Sequence, residues 1–144
     1  MTTDPTHSAL EVLSVLCQAR PAPVKALAEH LIPDLEPITV LKSRTGLVMI
    51  PYTDAVDGVP FHLGEVTACE VHLTVIGGAE GYAMCMGRDL ECATALAVID
   101  AALAVGHERA AILALTKQEA EYLAAQEAQT LRAVAATRVD METF

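Results

Sequence analysis

The chain has no tryptophan and only five other aromatic residues, three Tyr and two Phe, among 144. A core built without them must come from Ala, Leu, Val, Ile and Met. Such a core lets helices approach closely but buries little area per residue, so contacts with partners are expected to complete its stability. Cations are scarce too, with nine Lys plus Arg against nineteen Asp plus Glu and a net charge of −10. That balance excludes nucleic acid and anionic membranes as natural ligands, because nothing supplies counterion release. No Walker-type glycine loop followed by Lys-Ser/Thr is present, so the chain is not expected to hold a polyphosphate alone.

The N-terminal MTTDPTHSAL carries no basic stretch before an apolar one, and so does not read as a secretory signal. The most apolar run, Cys92 to Gly106, is interrupted by Asp100 and too short for a bilayer. The four cysteines, Cys17, Cys69, Cys85 and Cys92, have no CxxC spacing and read as reduced, small hydrophobic residues in a cytoplasmic protein. What remains is a chain that is 53% hydrophobic and 19% charged, suited to one domain over residues 1–144, with residues 1–7 expected to be disordered.

Apolar spacing from His7 to Ala19 predicts an amphipathic helix ended by Arg20-Pro21-Ala22-Pro23, and Val24 to Leu31 a second helix stopped by Pro33. Ile38 to Leu41 and Leu47 to Ile50 read as two strands joined by a tight turn near Thr45-Gly46, followed by a loop from Pro51 to Pro60. Glu65 to Ile76 reads as a long strand. Thr67, Cys69, Val71, Leu73 and Val75 form its apolar face, and Val66, Ala68, Glu70, His72 and Thr74 its more polar one. Gly77 to Gly81 supplies a hairpin turn and Tyr82 to Met86 a fourth strand.

Asp89 is placed to cap a central helix ended by Gly106. A last helix starts between Glu108 and Lys117, with Thr116 as a capping-box candidate. The expected fold is α+β, order ααββββαα, with helices on one face of a four-stranded antiparallel sheet.

Candidate chemistry is thin. Gly87-Arg88-Asp89 could offer an anion site at a helix N-terminus, but a capped turn explains it as well and more simply. Lys42, Arg44 and Arg88 could form a basic patch, or serve as edge-strand charges that discourage aggregation. Cys69, His72 and Cys85 suggest a metal, yet Cys69 and His72 point to opposite faces of a strand. Asp100, in an apolar helix, requires a partner; a cation such as Arg138 or a backbone turn would satisfy it. Glu65 is placed to orient a turn, and Glu70 to face solvent or a partner. Tyr82 and Phe61 read as core anchors or interface contacts.

Four motifs together resemble one family. Thr45-Gly46-Leu47-Val48-Met49-Ile50, preceded by Arg44, is similar to its first, and Phe61-His62-Leu63-Gly64-Glu65-Val66-Thr67 to its second. Gly81-Tyr82, then Gly87-Arg88-Asp89, Ala93 and Ile99-Asp100-Ala101 resemble the third. Thr137-Arg138-Val139-Asp140 resembles the closing Arg-Val-Asp. The family is PhnG, the G subunit of the bacterial carbon–phosphorus lyase core complex. Ala68 to His72 depart from many members, which carry basic residues there.

The resemblance implies a subunit that assembles most directly with an I-type chain and also with H- and J-type chains, and homo-association is a further possibility. With an L-type, ATPase-like protein, the G, H and I subunits join an alkylphosphonate to the ribose of MgATP with release of adenine. MgATP is then a substrate of the complex, with no cofactor or metal held by this chain. The family implies no catalytic residue here. Arg44, Thr45, Gly46, Gly64, Glu65, Gly81, Tyr82, Gly87, Arg88, Asp89, Asp100, Arg138 and Asp140 are its structural or interface candidates. The alternatives are a homo-oligomeric scaffold or small-ligand module outside phosphonate metabolism, or a small independent enzyme.

Overall fold

The computed structural model describes residues 8–139; the expectations for residues 1–7 and for Asp140 lie outside them. The first helix, α1 (Ala9–Leu16), starts on a capping box in which Ser8 Oγ accepts from Glu11 N and Glu11 Oε2 accepts from Ser8 N. α2 (Pro21–Leu35) is longer than its sequence suggests. Pro21 occupies the first turn, where its missing N–H costs nothing, and Pro33 sits within the last turn instead of stopping the helix.

Three strands follow, not four. β1 (Thr39–Thr53) runs without a break through Arg44-Thr45-Gly46, and β2 (Pro60–Thr74) pairs with it antiparallel along almost its whole length. Thr45 lies opposite Cys69 and Gly46 opposite Ala68, and Gly46 has no positive φ. The Thr-Gly pair that reads as a turn is therefore mid-strand. The real turn is shorter than the expected loop: Asp54 Oδ2 accepts from Asp57 N at 2.8 Å, and Gly58 takes a φ of 66°.

β3 (Glu80–Met86) pairs only with residues Ala68 to Thr74 of β2, in sheet order β1-β2-β3. The connection between them turns at Gly77 (φ 77°) and Gly78 (79°) and is shorter than the expected Gly77–Gly81 turn, because Glu80 and Gly81 already belong to β3. The element order is thus ααβββαα.

α3 (Leu90–Val105) is the axis of the fold. Asp89 Oδ1 accepts from Cys92 N at 2.9 Å, and Gly106 closes the helix at φ 72°. Ala93, Ala97, Ile99, Ala101 and Ala102 of α3 are fully buried, against Cys69, Val71 and Leu73 of the sheet's apolar face and against Val24, Leu31 and Leu35 of α2. α4 (Arg109–Ala136) starts well before Thr116, whose hydroxyl donates to Ile112 O in mid-helix, so Thr116 is not a cap. The final turns of α4 are exposed.

The sequence does not foretell the tie that holds α4 to the rest. Glu119 is completely buried, and its carboxylate accepts three hydrogen bonds from Arg20: backbone N at 3.1 Å, Nε at 3.1 Å and a terminal guanidinium nitrogen at 2.6 Å. The same guanidinium lies 4.3 Å from the centroid of the Tyr122 ring.

Candidate functional site

The motif residues divide by whether the fold itself accounts for them. Gly81 is explained by close approach: a Cβ there would fall 2.0 Å from Ala97 O and 2.9 Å from Ala101 Cβ, so only glycine lets β3 meet α3. Tyr82 and Asp100 are explained together. Asp100, half-buried, accepts from Tyr82 N at 2.9 Å, which satisfies a backbone donor of an edge strand. The backbone group is on a strand and not in a turn. Gly87 has φ 105° and donates to Thr67 O, while Asp89 caps α3 and pairs with Lys25 at 3.0 Å. Lys25 also reaches Glu91 at 3.1 Å and so pins α2 to the start of α3.

On the face away from the helices the centre is Glu70. Arg44 Nε donates to Glu70 Oε2, Lys42 Nζ lies 3.6 Å from Oε1, and Tyr82 Oη donates to Oε1 at 3.2 Å. The Arg44 guanidinium, with help from Tyr82, holds the Glu70 carboxyl below the usual carboxylate range. Tyr82 also packs edge-on against His72, which reaches Glu80 at 3.0 Å. Sequence reasoning singled out Arg44 and Tyr82 but left Glu70 to solvent or a partner. Only the register, with Arg44 opposite Glu70, brings the three together.

The basic patch does not form as one. Lys42 and Arg44 are engaged by Glu70, whereas Arg88 lines a separate depression with Thr45, Gly46, Leu47 and Thr67. Cys85 lies opposite Cys69, not beside His72, and burial pushes its thiol up to about 11. Among the described residues no three His, Cys, Asp or Glu side chains group as a metal site would require.

The remaining motif residues gather elsewhere. β1 and β2 continue beyond β3 as a two-stranded ribbon, Leu47–Thr53 against Pro60–Thr67, about 23 Å long at the usual rise per residue. Gly64 and Glu65 stand on this ribbon and Thr45 and Gly46 at its root; Gly64 and Glu65 are exposed. Glu65 faces Met49 in mid-strand, so it orients no turn. Neither Gly46 nor Gly64 has a positive φ, and a Cβ at either would meet nothing within 4 Å. Large apolar side chains stand open along the ribbon, among them Leu47 at 65% exposure and Leu63 at 62%. Tyr52 and Phe61 pack edge-on at 5.5 Å but are themselves exposed. A hairpin this apolar is marginal alone in water, and its exposed side chains form a contiguous apolar surface of the kind found at contact sites.

The sequence profile of the family described as "Phosphonate metabolism protein PhnG" matches residues 10–144. The chain belongs to the PhnG family. A curated relative, the alpha-D-ribose 1-methylphosphonate 5-triphosphate synthase subunit PhnG of Rhizobium meliloti (strain 1021), is 35% identical over 101 residues. The match covers 70% of this chain and 65% of the relative's length. Membership in the PhnG family agrees with the four motifs, and the structure places three of them: the third joins β3 to α3, and the first two build the ribbon and its root.

Proposed function

We propose that this PhnG-family chain is a subunit of a ribose 1-methylphosphonate 5-triphosphate synthase, acting in the cytoplasm. In this reading residues 1–144 work as one unit, and the complex uses MgATP and an alkylphosphonate and releases adenine. The chain's role is to bind and position its partner subunits, I-type most directly and H- and J-type besides, and not to carry acid–base groups of its own. The relative's description as a synthase subunit supports the choice of machine.

The observation that carries the auxiliary role is how the motif side chains are used. Arg44, Tyr82, Asp89 and Asp100 are each held by an internal contact, to Glu70, to the α3 N-terminus or to a strand N–H. A general acid or base needs a free side chain beside a reacting atom, and these four are committed to the fold. No helix among the described residues is long and apolar enough to cross a membrane.

Co-expression of the tagged chain with the other synthase subunits tests this directly. A stoichiometric complex recovered through the tag is expected. A monodisperse chain that ignores those subunits contradicts it.

A further inference from the structure

The open face of the ribbon has a shape that the fold does not require. From Gly46 to Ile50 and from Gly64 to Ala68 the even-numbered residues share this face, and the register shift after Ile50 changes the parity on β2 beyond it. Gly46 lies opposite Ala68, then Val48 opposite Val66, then Ile50 opposite Gly64, and the Tyr52–Phe61 pair closes the far end. The near end is raised by Met84 and the Arg44–Glu70 pair. The result is a shallow trough, lowest over Gly46–Ala68 and again at Gly64, with the Val48–Val66 pair between them.

Glycine is a poor strand residue, weakening the strand by lost entropy and absent packing. It persists in strands where a turn, a bulge or a close neighbour demands it. Gly46 lies in regular pairing and needs no turn geometry, whereas Gly64 adjoins the register shift at Ile50/Pro51; nothing among the described residues approaches the missing Cβ of either. Gly81 shows the contrast, being crowded by Ala97 and Ala101 of α3. The bulge gives Gly64 a reason within the fold; the neighbour that demands Gly46 lies outside the described residues.

Charge decides which neighbour. From Thr45 to Thr67 the acids are Asp54, Asp57 and Glu65, and there is no Lys or Arg; the chain as a whole is at −10. A second copy laid on the same face would set these acids against their own kind. We infer that the trough over Gly46, Gly64 and Ala68 receives an apolar backbone segment flanked by basic residues, contributed by another subunit of the complex. The inference rests on the subunit reading above and adds where on this chain the contact is made.

The test uses Gly46→Val and Gly64→Val, with binding to the co-purified remaining synthase subunits and thermal stability measured side by side. Valine fits the open space, so both variants are expected to melt at or above the wild-type temperature. Each is expected to bind at least about tenfold more weakly, the effect of one obstructed central contact. Asp57→Lys is expected to slow association several-fold, most visibly at low salt.

Stable valine variants that bind like wild type overturn the trough as the contact and leave the subunit reading standing. Wild-type chain that fails to bind overturns both. A wild-type homodimer that Gly64→Val dissociates makes the occupant a second copy and overturns the assignment to another subunit.

Discussion

Gly81→Ala is expected to be the most damaging one-atom change in this fold. The added Cβ would sit 2.0 Å from Ala97 O, 2.9 Å from Ala101 Cβ and 3.0 Å from Ala101 N. Two of these atoms belong to the backbone of a rigid helix whose own inward residues are fully buried, so no side-chain rotation relieves them. β3 and α3 must separate by about 1 Å or more to restore ordinary contact. Overpacking of this kind costs about 1–3 kcal/mol. The same separation stretches the Tyr82 N to Asp100 hydrogen bond, now 2.9 Å, and a bond to a charged group contributes about 1.5–3 kcal/mol.

Against this, replacing glycine by alanine gains about 0.4–1 kcal/mol by restricting the unfolded chain. A net loss of about 3 kcal/mol follows, which for a chain of this size lowers Tm by about 9 °C. Urea unfolding followed by far-UV circular dichroism reads it as a lower midpoint with an unchanged slope. Gly64→Ala is the internal control: with open space at its Cβ it is expected to match or slightly exceed wild type. Equal midpoints for Gly81→Ala and wild type would refute the close β3–α3 approach.

Glu119 is held below the usual carboxylate range by its hydrogen bonds to Arg20, as Glu70 is by Arg44 and Asp89 by the α3 backbone and Lys25. A carboxyl depressed in the folded state stabilises above its unfolded value, and that stability is lost as pH falls through the folded value. Stability is thus expected to decline steadily below about pH 4.5, the ordinary carboxylate range, and Glu119→Gln to flatten that decline while lowering the plateau at pH 7. A decline identical to wild type contradicts the Glu119 assignment. Asp89→Ala removes the cap of α3 and is expected to cost about 1 kcal/mol in urea unfolding, where no change would mean that the cap is not used. In the native protein a thiol reagent near pH 8 is expected to modify exposed Cys17 and to spare Cys69, Cys85 and Cys92, Cys85 being buried and raised to about 11; rapid labelling of Cys85 contradicts its burial.

Much of the local structure was legible because it is written locally. The Asp89 cap, the Gly77-Gly78 turn, the Gly106 stop and the apolar alternation of Cys69, Val71 and Leu73 each depend on a few neighbouring residues. Thr45-Gly46 misled because glycine beside a polar residue has the composition of a turn, while its strand conformation is decided by pairing with Cys69 and Ala68 more than twenty residues away. The Arg20–Glu119 tie, 99 residues apart, has no sequence signal beyond two ordinary charges. Glu70 was legible as a polar strand position but not as the partner of Arg44, Lys42 and Tyr82, because that depends on the register of both neighbouring strands. Gly46 and Gly64 were legible as motif letters, but not the open space that the described residues leave beside them, because that depends on how the ribbon extends past β3.

The most direct test of the subunit reading is adenine release from MgATP in the presence of methylphosphonate, measured on the synthase assembled with and without this chain. Release is expected from the full assembly, with none above background when this chain is left out and none from this chain alone. Full turnover without it, or turnover by the isolated chain, would contradict a positioning subunit that carries no catalysis of its own.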